Sequence, residues 1–208
     1  MLKTESLTFS YDNSQELSFP DIELERGENL LVLGKSGAGK TTFIQILAGL
    51  LKPKKGQITL DGNNYQSLSE SEMDQFRGSN VGMVFQTPHF VNNISVMDNL
   101  LLSLHLSKMG QDKKNIIKLL HKVGLGEKIK VKPSELSQGE KQRASIALAV
   151  IKNPKLILAD EPTSSLDDEN CSKICSLLKV QAEATNAHLI LVTHDQRVKS
   201  EFSKSIML

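Results

Sequence analysis

Apolar and polar positions alternate along the N-terminal part of the chain: Leu7, Phe9 and Tyr11 share one face, Ile22 and Leu24 repeat the spacing, and Ile58 and Leu60 precede a turn at Asp61-Gly62. A period of two predicts strands with one covered face, hence a partly antiparallel sheet. Four other segments, Leu30 to Leu33, Val81 to Phe85, Leu156 to Ala159 and Leu189 to Val192, are near-continuous apolar runs of strand length. Such runs suit strands covered on both faces, as in an α/β sheet whose crossovers are helices. A further strand is predicted at Ser205 to Leu208.

Between Ser95 and Val123 the period becomes helical. Ser95 and Asp98 read as a capping pair ahead of Leu100, Leu101, Leu102, Leu104 and Leu106, with Gly110 closing that helix, and a second helix through Ile116, Ile117, Leu119 and Leu120 ends at Gly124. The pattern predicts one domain over residues 1–208 with a helical insertion at about residues 90–150.

The residues just after each apolar run carry the functional signal, because open α/β sheets bind ligands beyond the carboxyl ends of their strands. The four runs lead into Gly34, Gln86, Asp160 and His194. The loop Gly34-Lys35-Ser36-Gly37-Ala38-Gly39-Lys40-Thr41 fits G-x-x-x-x-G-K-[ST] between a strand and the helical Phe43 to Leu47. Glycines let successive N–H groups face one anion and the following helix adds its positive dipole end. Lys40 supplies a charge to the outer phosphates of a nucleoside triphosphate and the Thr41 hydroxyl a ligand for Mg²⁺. The bland alternative is a glycine-rich turn that only joins strand to helix.

Asp160 and Glu161 close their run with two tasks in prospect: Asp160 to hold Mg²⁺, Glu161 to act as general base on water. Pro162 is expected to keep Glu161 extended. A solvated strand end is the alternative. Ser137 and Glu140 have capping-box spacing, which places Gln138 and Gly139 in the first turn of a helix running to Val150, with N–H groups free to meet an anion. Taken alone, that is an ordinary helix start.

Composition narrows the class without naming a ligand. Lys and Arg total 25 against 24 Asp and Glu in 208 residues, so no global field recruits nucleic acid or an anionic membrane. Lys113, Lys114, Lys118 and Lys122 read as a solvated helix face rather than a lipid patch. Cys171 and Cys175, four apart, fall on one helix face with a geometry unfavourable to a disulfide, and read as packing residues. No apolar run reaches the roughly 18 residues of a membrane span. The expectation is a cytosolic protein.

The phosphate loop, Gln86, Ser137 to Glu140, Asp160-Glu161, Ser165-Leu166-Asp167 and His194-Asp195, in this order over almost the whole chain, resemble the nucleotide-binding subunits of ABC transporters. The resemblance implies a P-loop NTPase core with a mainly parallel sheet, an N-terminal antiparallel β subdomain and an inserted helical subdomain. It implies ATP and Mg²⁺ as cofactors, with Gly34 to Thr42 as the phosphate loop and Thr41, Gln86 and Asp160 around the metal. It further implies Glu161 as catalytic base, His194 as the switch on the γ-phosphate, and Asp167 as the cross-subunit aspartate. Ser137, Gln138, Gly139 and Glu140 resemble the signature that meets the nucleotide of the opposite subunit. Tyr11 is similar to the aromatic that stacks on adenine, or is a packed strand residue.

One loop and one signature per chain then imply a homodimer around two MgATP, coupled to integral membrane permease subunits. The chain would lie on the inner face of the cell membrane only through that partner, without binding nucleic acid. Pro88, Phe90 and Val91 offer an apolar contact for the permease or pack within the insertion. Phe76-Arg77-Gly78, Val81 to Gln86 and Leu158 to Thr163 look like the branch serving lipoprotein release, macrolide export and cell division. Gln138 and Lys35 depart from the family's usual Gly and Pro, and a C-terminal regulatory element is expected to be absent. The rivals are a soluble ABC-type ATPase acting on nucleic acid or ribosomes, a phosphate-loop kinase or GTPase, and a non-hydrolysing cassette.

Overall fold

The computed structural model describes residues 1–11, 15–164 and 166–208. Its first sheet is antiparallel and comprises β1 (Leu2–Phe9), β2 (Leu17–Ser18), β3 (Glu23–Leu24), β5 (Lys55–Leu60) and β6 (Asn63–Asn64), all but β6 paired directly with β1. The second is parallel, in the order β10 (Ser205–Met207), β4 (Asn29–Leu33), β9 (His188–Thr193), β8 (Leu156–Asp160), β7 (Val81–Val84). Helix α1 (Lys40–Leu47) follows β4, α2 (Glu70–Asn80) precedes β7, and α3 (Val96–Leu106), α4 (Lys113–Lys122) and α5 (Gln138–Val150) lie between β7 and β8. Helix α6 (Asp168–Thr185) joins β8 to β9. Among the described residues no helix is long and apolar enough to cross a membrane.

The continuous apolar runs are explained by two cores, one on each side of the parallel sheet. Leu31, Leu33, Ile157, Ala159, Leu189 and Leu191 pack with the α3–α6 side, while Leu30, Val32, Leu156, Leu158, Ile190 and Val192 pack with α1 and the antiparallel sheet. Each buried Leu, Ile or Val on either face contributes roughly 1.5–3 kcal/mol of apolar burial. That rigid sheet fixes its strand ends in space, and the candidate site sits on them.

Strand β1 departs from simple alternation. Leu2, Thr4 and Leu7 are buried, so the inward parity changes once. A bulge between Glu5 and Thr8, with Ser6 at φ 50°, supplies the extra residue. Gly56 on β5 is what admits it, because a Cβ there would lie 2.3 Å from the Glu5 carbonyl oxygen. The strand ends at Phe9, so Tyr11 lies beyond it rather than within the predicted face.

Helix α3 ends at Leu106, earlier than Gly110, because Ser107 caps it and Lys108 turns left-handed at φ 55°. Helix α4 ends as expected ahead of Gly124. Lys113, Lys114, Lys118 and Lys122 are all exposed. Cys171 and Cys175 are unbridged and buried on α6.

Asp61, at the turn after β5, ties the chain start to the rest of the fold. Its carboxylate bonds the Met1 amine at 2.8 Å and Arg26 Nη2 at 2.7 Å, with Lys155 Nζ at 3.7 Å. Burial alone would raise this carboxyl, but the bonds from Arg26 and the amine outweigh it and bring it down to about 2. A depressed folded-state value contributes stability above the ordinary carboxylate range that is lost as pH falls through the lowered one. Asp61→Asn is therefore expected to lower stability at neutral pH and to flatten the loss between about pH 4 and pH 2, measured as urea midpoints against pH. An unchanged acid limb would contradict this.

Candidate nucleotide and hydrolysis site

The strand ends β4, β8 and β9 bring together the phosphate loop, two carboxylates and an imidazole. The loop leaves β4 at buried Gly34 and re-enters regular structure at Lys40, the first residue of α1. The α1 N-cap is Gly39, left-handed at φ 89°, with no side-chain cap. The first-turn N–H groups of α1 are thus left for an anion rather than taken by the protein. Lys40 is buried, and its ammonium bonds the carbonyls of Gly34 at 2.8 Å and Lys35 at 3.0 Å. The same nitrogen is 3.4 Å from Glu161 Oε1. Lys35, Ser36 and Gly37 are exposed, and Ala38 N bonds Lys35 O at 3.2 Å, closing the turn.

Asp160 ends β8, and the Thr41 hydroxyl bears on its carboxylate. Burial raises the Asp160 carboxyl, the polar Thr41 hydroxyl opposes this, and the neighbouring Glu161 charge adds to the rise. Asp160 Oδ1 is buried without a hydrogen-bond partner. An orphaned, destabilised carboxylate oxygen beside a hydroxyl fits a divalent cation. Among the described residues there is no cluster of three or more His, Cys, Asp and Glu that could hold a metal. One carboxylate, one hydroxyl and the oxygens of a bound phosphate are the donor set Mg²⁺ favours over a protein cage.

Glu161 is not extended, contrary to the expectation from Pro162: its φ is 47°. Proline disfavours the right-handed helical region for its predecessor. Here the remaining choice is settled by hydrogen bonds, not by the strand direction. Glu161 N bonds Val192 O at 2.9 Å, and the carboxylate turns onto β9, accepting from Thr193 Oγ1 at 2.7 Å and from His194 N at 3.1 Å. His194 Nδ1 lies 2.9 Å from Glu161 Oε1. A left-handed non-glycine residue costs on the order of 1–3 kcal/mol, and such strain gathers at functional sites. Burial pushes the Glu161 carboxyl up, yet the bonds from His194 and Thr193 more than compensate and hold it below its ordinary value.

Gln86 follows β7, with its amide nitrogen 3.3 Å from Ser164 Oγ. Tyr11 stands at the loop's other side, its hydroxyl 3.1 Å from Thr42 Oγ1 and its ring edge-on to Phe9 at 4.8 Å. Tyr11 is half exposed, outside the core. Asp167 is the N-cap of α6, accepting from Asn170 N at 2.8 Å. Ser165 lies outside the described residues.

Ser137 to Glu140 form the expected capping box at the start of α5: Glu140 N donates to Ser137 Oγ at 3.3 Å and Ser137 N to Glu140 Oε2 at 2.8 Å. Lys128 Nζ pairs with Glu140 Oε1 at 3.4 Å. Gln138 is exposed. Among the described residues, no hydrogen bond or ion pair joins Ser137 to Glu140 with residues 34–42 or with Asp160 and Glu161. Arg197, which belongs to no recognised motif, bridges the His194 segment to the start of α6. Its only signal in the sequence is its place three residues after His194.

The model of the ABC transporter family matches residues 17–164, which include the phosphate loop, Gln86, the Ser137–Glu140 helix start and both carboxylates. This chain belongs to that family. The cassette is 35% identical over 190 residues to the lipoprotein-releasing system ATP-binding protein LolD of Legionella pneumophila, covering 90% of this chain and 84% of that one. It is 39% identical over 189 residues to the LolD of Buchnera aphidicola, with 90% and 82% covered. Among solved structures it resembles a bacterial ABC transporter cassette in its dimeric form, with a TM-score of 0.89, 30% identity, and 100% of this chain and 94% of that chain covered. The same holds for a dimeric post-hydrolysis state of that cassette bound to ADP and Pi. The cassette is an ABC-type ATPase, with the mixed antiparallel and parallel architecture of that fold.

Proposed function

We propose that the cassette powers an exporter or lipoprotein-release type complex, as a homodimer that closes around two MgATP and opens after hydrolysis. The observation that carries the dimer is that, among the described residues, no hydrogen bond or ion pair joins the Ser137–Glu140 helix start to the phosphate loop of the same chain. A helix start expected to meet a phosphate, yet not bonded to the phosphate loop of its own chain, has one symmetric solution, in which each copy supplies it to the other. The dimeric form of the solved relatives supports this reading.

In each site Gly34 to Thr42 cradle the phosphates, Lys40 neutralises the outer two, and Tyr11 offers its ring to the adenine. Thr41, Asp160 and Gln86 hold Mg²⁺, which when bound offsets the charge of the phosphate oxygens. Glu161 takes the proton of the attacking water, and His194, now on Glu161, turns to the γ-phosphate. Ser137, Gln138, Gly139 and Glu140 face the partner copy's nucleotide, and Asp167 faces the partner copy. Sedimentation of Glu161→Gln in saturating MgATP tests the assembly: a dimer is expected, and a persistent monomer would refute it.

The membrane partner is an integral permease, and the cassette lies on the inner face of the membrane through it. Its support is the transport name of the relatives and the segment after Gln86. There Phe90 packs into the insertion core while Val91 is 48% exposed and held by Asn99 through bonds of 2.9 and 3.2 Å. An exposed apolar residue five positions after Gln86, held in place by Asn99, suits a contact that reports to the site. Purification from native membranes is expected to bring an integral membrane protein along. Recovery of ribosomes or DNA instead would favour the nucleic-acid alternative.

A further inference from the structure

Arg197 lies outside every motif above, yet all three nitrogens of its guanidinium are engaged. Nε lies 2.9 and 3.0 Å from the two Asp195 carboxylate oxygens, and Nη2 donates to Asp195 Oδ2 at 2.7 Å. Nη2 also reaches Leu166 O at 3.4 Å, and Nη1 pairs with Asp168. One planar fork therefore holds two segments: the Asp195 turn after β9, and residues Leu166 to Asp168, which carry Asp167 and open α6.

Asp195 is itself wired to the base. Its backbone N–H donates to Thr193 Oγ1 at 3.0 Å, and that hydroxyl donates to Glu161 Oε2 at 2.7 Å. A hydroxyl has one proton, so accepting from Asp195 N leaves that proton to point at Glu161. The Asp195 carboxylate is further held by Thr163 Oγ1 at 3.4 Å and Cys171 Sγ at 3.8 Å. The bonds from Arg197 are the foremost cause that keeps the Asp195 carboxyl below its ordinary value.

We infer that Arg197 is a positioning residue for ATP hydrolysis, whose guanidinium brace between Asp195 and the Leu166–Asp168 segment sets the Glu161 carboxylate through Thr193. The inference rests on Glu161 being the base. Because Asp167 belongs to the segment Arg197 grips, a shift of that segment would be carried to Glu161 along the same bonds. Arg197 touches no nucleotide-binding residue of the phosphate loop, so it acts on turnover and leaves binding alone.

The test is steady-state MgATP hydrolysis and nucleotide affinity for Arg197→Ala, Arg197→Lys and Asp168→Asn. Arg197→Ala is expected to lower kcat on the order of tenfold to hundredfold, the scale of a small misplacement of a catalytic group, with the KM and Kd for MgATP unchanged. Arg197→Lys keeps the charge but not the fork, and restores part of kcat. Asp168 has an 88% exposed side chain, so Asp168→Asn leaves the fold intact. It is expected to lower kcat in the wild-type background and to change nothing further in Arg197→Ala. Unchanged kcat in Arg197→Ala, losses that add in the double variant, or a fall in Tm and ATP affinity parallel to kcat would each overturn the inference. If Glu161→Gln kept full turnover, the base assignment would fail instead, a result distinct from any of these.

Discussion

Glu161→Gln is expected to bind MgATP and to lose turnover by roughly 10²- to 10⁴-fold, the range general acid–base groups contribute. The amide preserves the size of the side chain, and its oxygen still accepts from Thr193 Oγ1, so the fold around the strained backbone at φ 47° should persist. What disappears is the basic carboxylate and the charge that faces Lys40 at 3.4 Å and His194 at 2.9 Å. Both groups are then free for the phosphates, so nucleotide affinity is expected to hold or rise. The lowered Glu161 value also makes a sign prediction. Its contribution to stability is present above the ordinary Glu range and fades as pH falls through the depressed value, and in the Gln variant that part of the acid dependence is absent. Phosphate release and equilibrium nucleotide binding measured on one preparation decide the matter, and turnover within tenfold of the parent would remove Glu161 from the role of base.

Lys40→Ala is expected to abolish MgATP binding at working concentrations. Truncating one member of a buried, hydrogen-bonded charge pair costs about 2–5 kcal/mol, about thirtyfold to several thousandfold in affinity. Lys40 meets that description before any ligand arrives, since its ammonium holds the carbonyls of Gly34 and Lys35 and faces Glu161. The variant therefore loses the charge that meets the phosphates and the clasp that shapes the loop. Titration with a fluorescent ATP analogue is the measurement, and an unchanged Kd would show that the phosphates sit elsewhere.

The core was legible because its strands are buried on both faces: Leu156 to Ala159 and Leu189 to Val192 could hardly be anything else, and the chemistry at their ends followed from sheet topology. The bulge at Ser6 was not legible, because the parity change depends on Gly56, fifty residues away in sequence and opposite in space. Helix α2 escaped notice for lack of a fully buried face, although Ser69 and Glu72 carry the spacing of a capping box. The turn of Glu161 was misread, since a local rule about Pro162 could not anticipate that Val192, Thr193 and His194 would capture the residue from the next strand. Arg197 escaped because a solvent-facing arginine carries no periodic signal. Its meaning lies in a partner segment ending near Asp168, 29 positions away.

The strand order β10-β4-β9-β8-β7 has a consequence for how the molecule is made. β4, which presents Gly34, lies between β9 and β10, whose residues all come after position 187. During synthesis the phosphate loop therefore emerges long before either neighbour that supports it exists. Pairing so remote in sequence is slow to form. Acquisition of nucleotide binding would thus be one of the last events of folding, and a nascent chain would stay unable to consume ATP until its second half had been delivered.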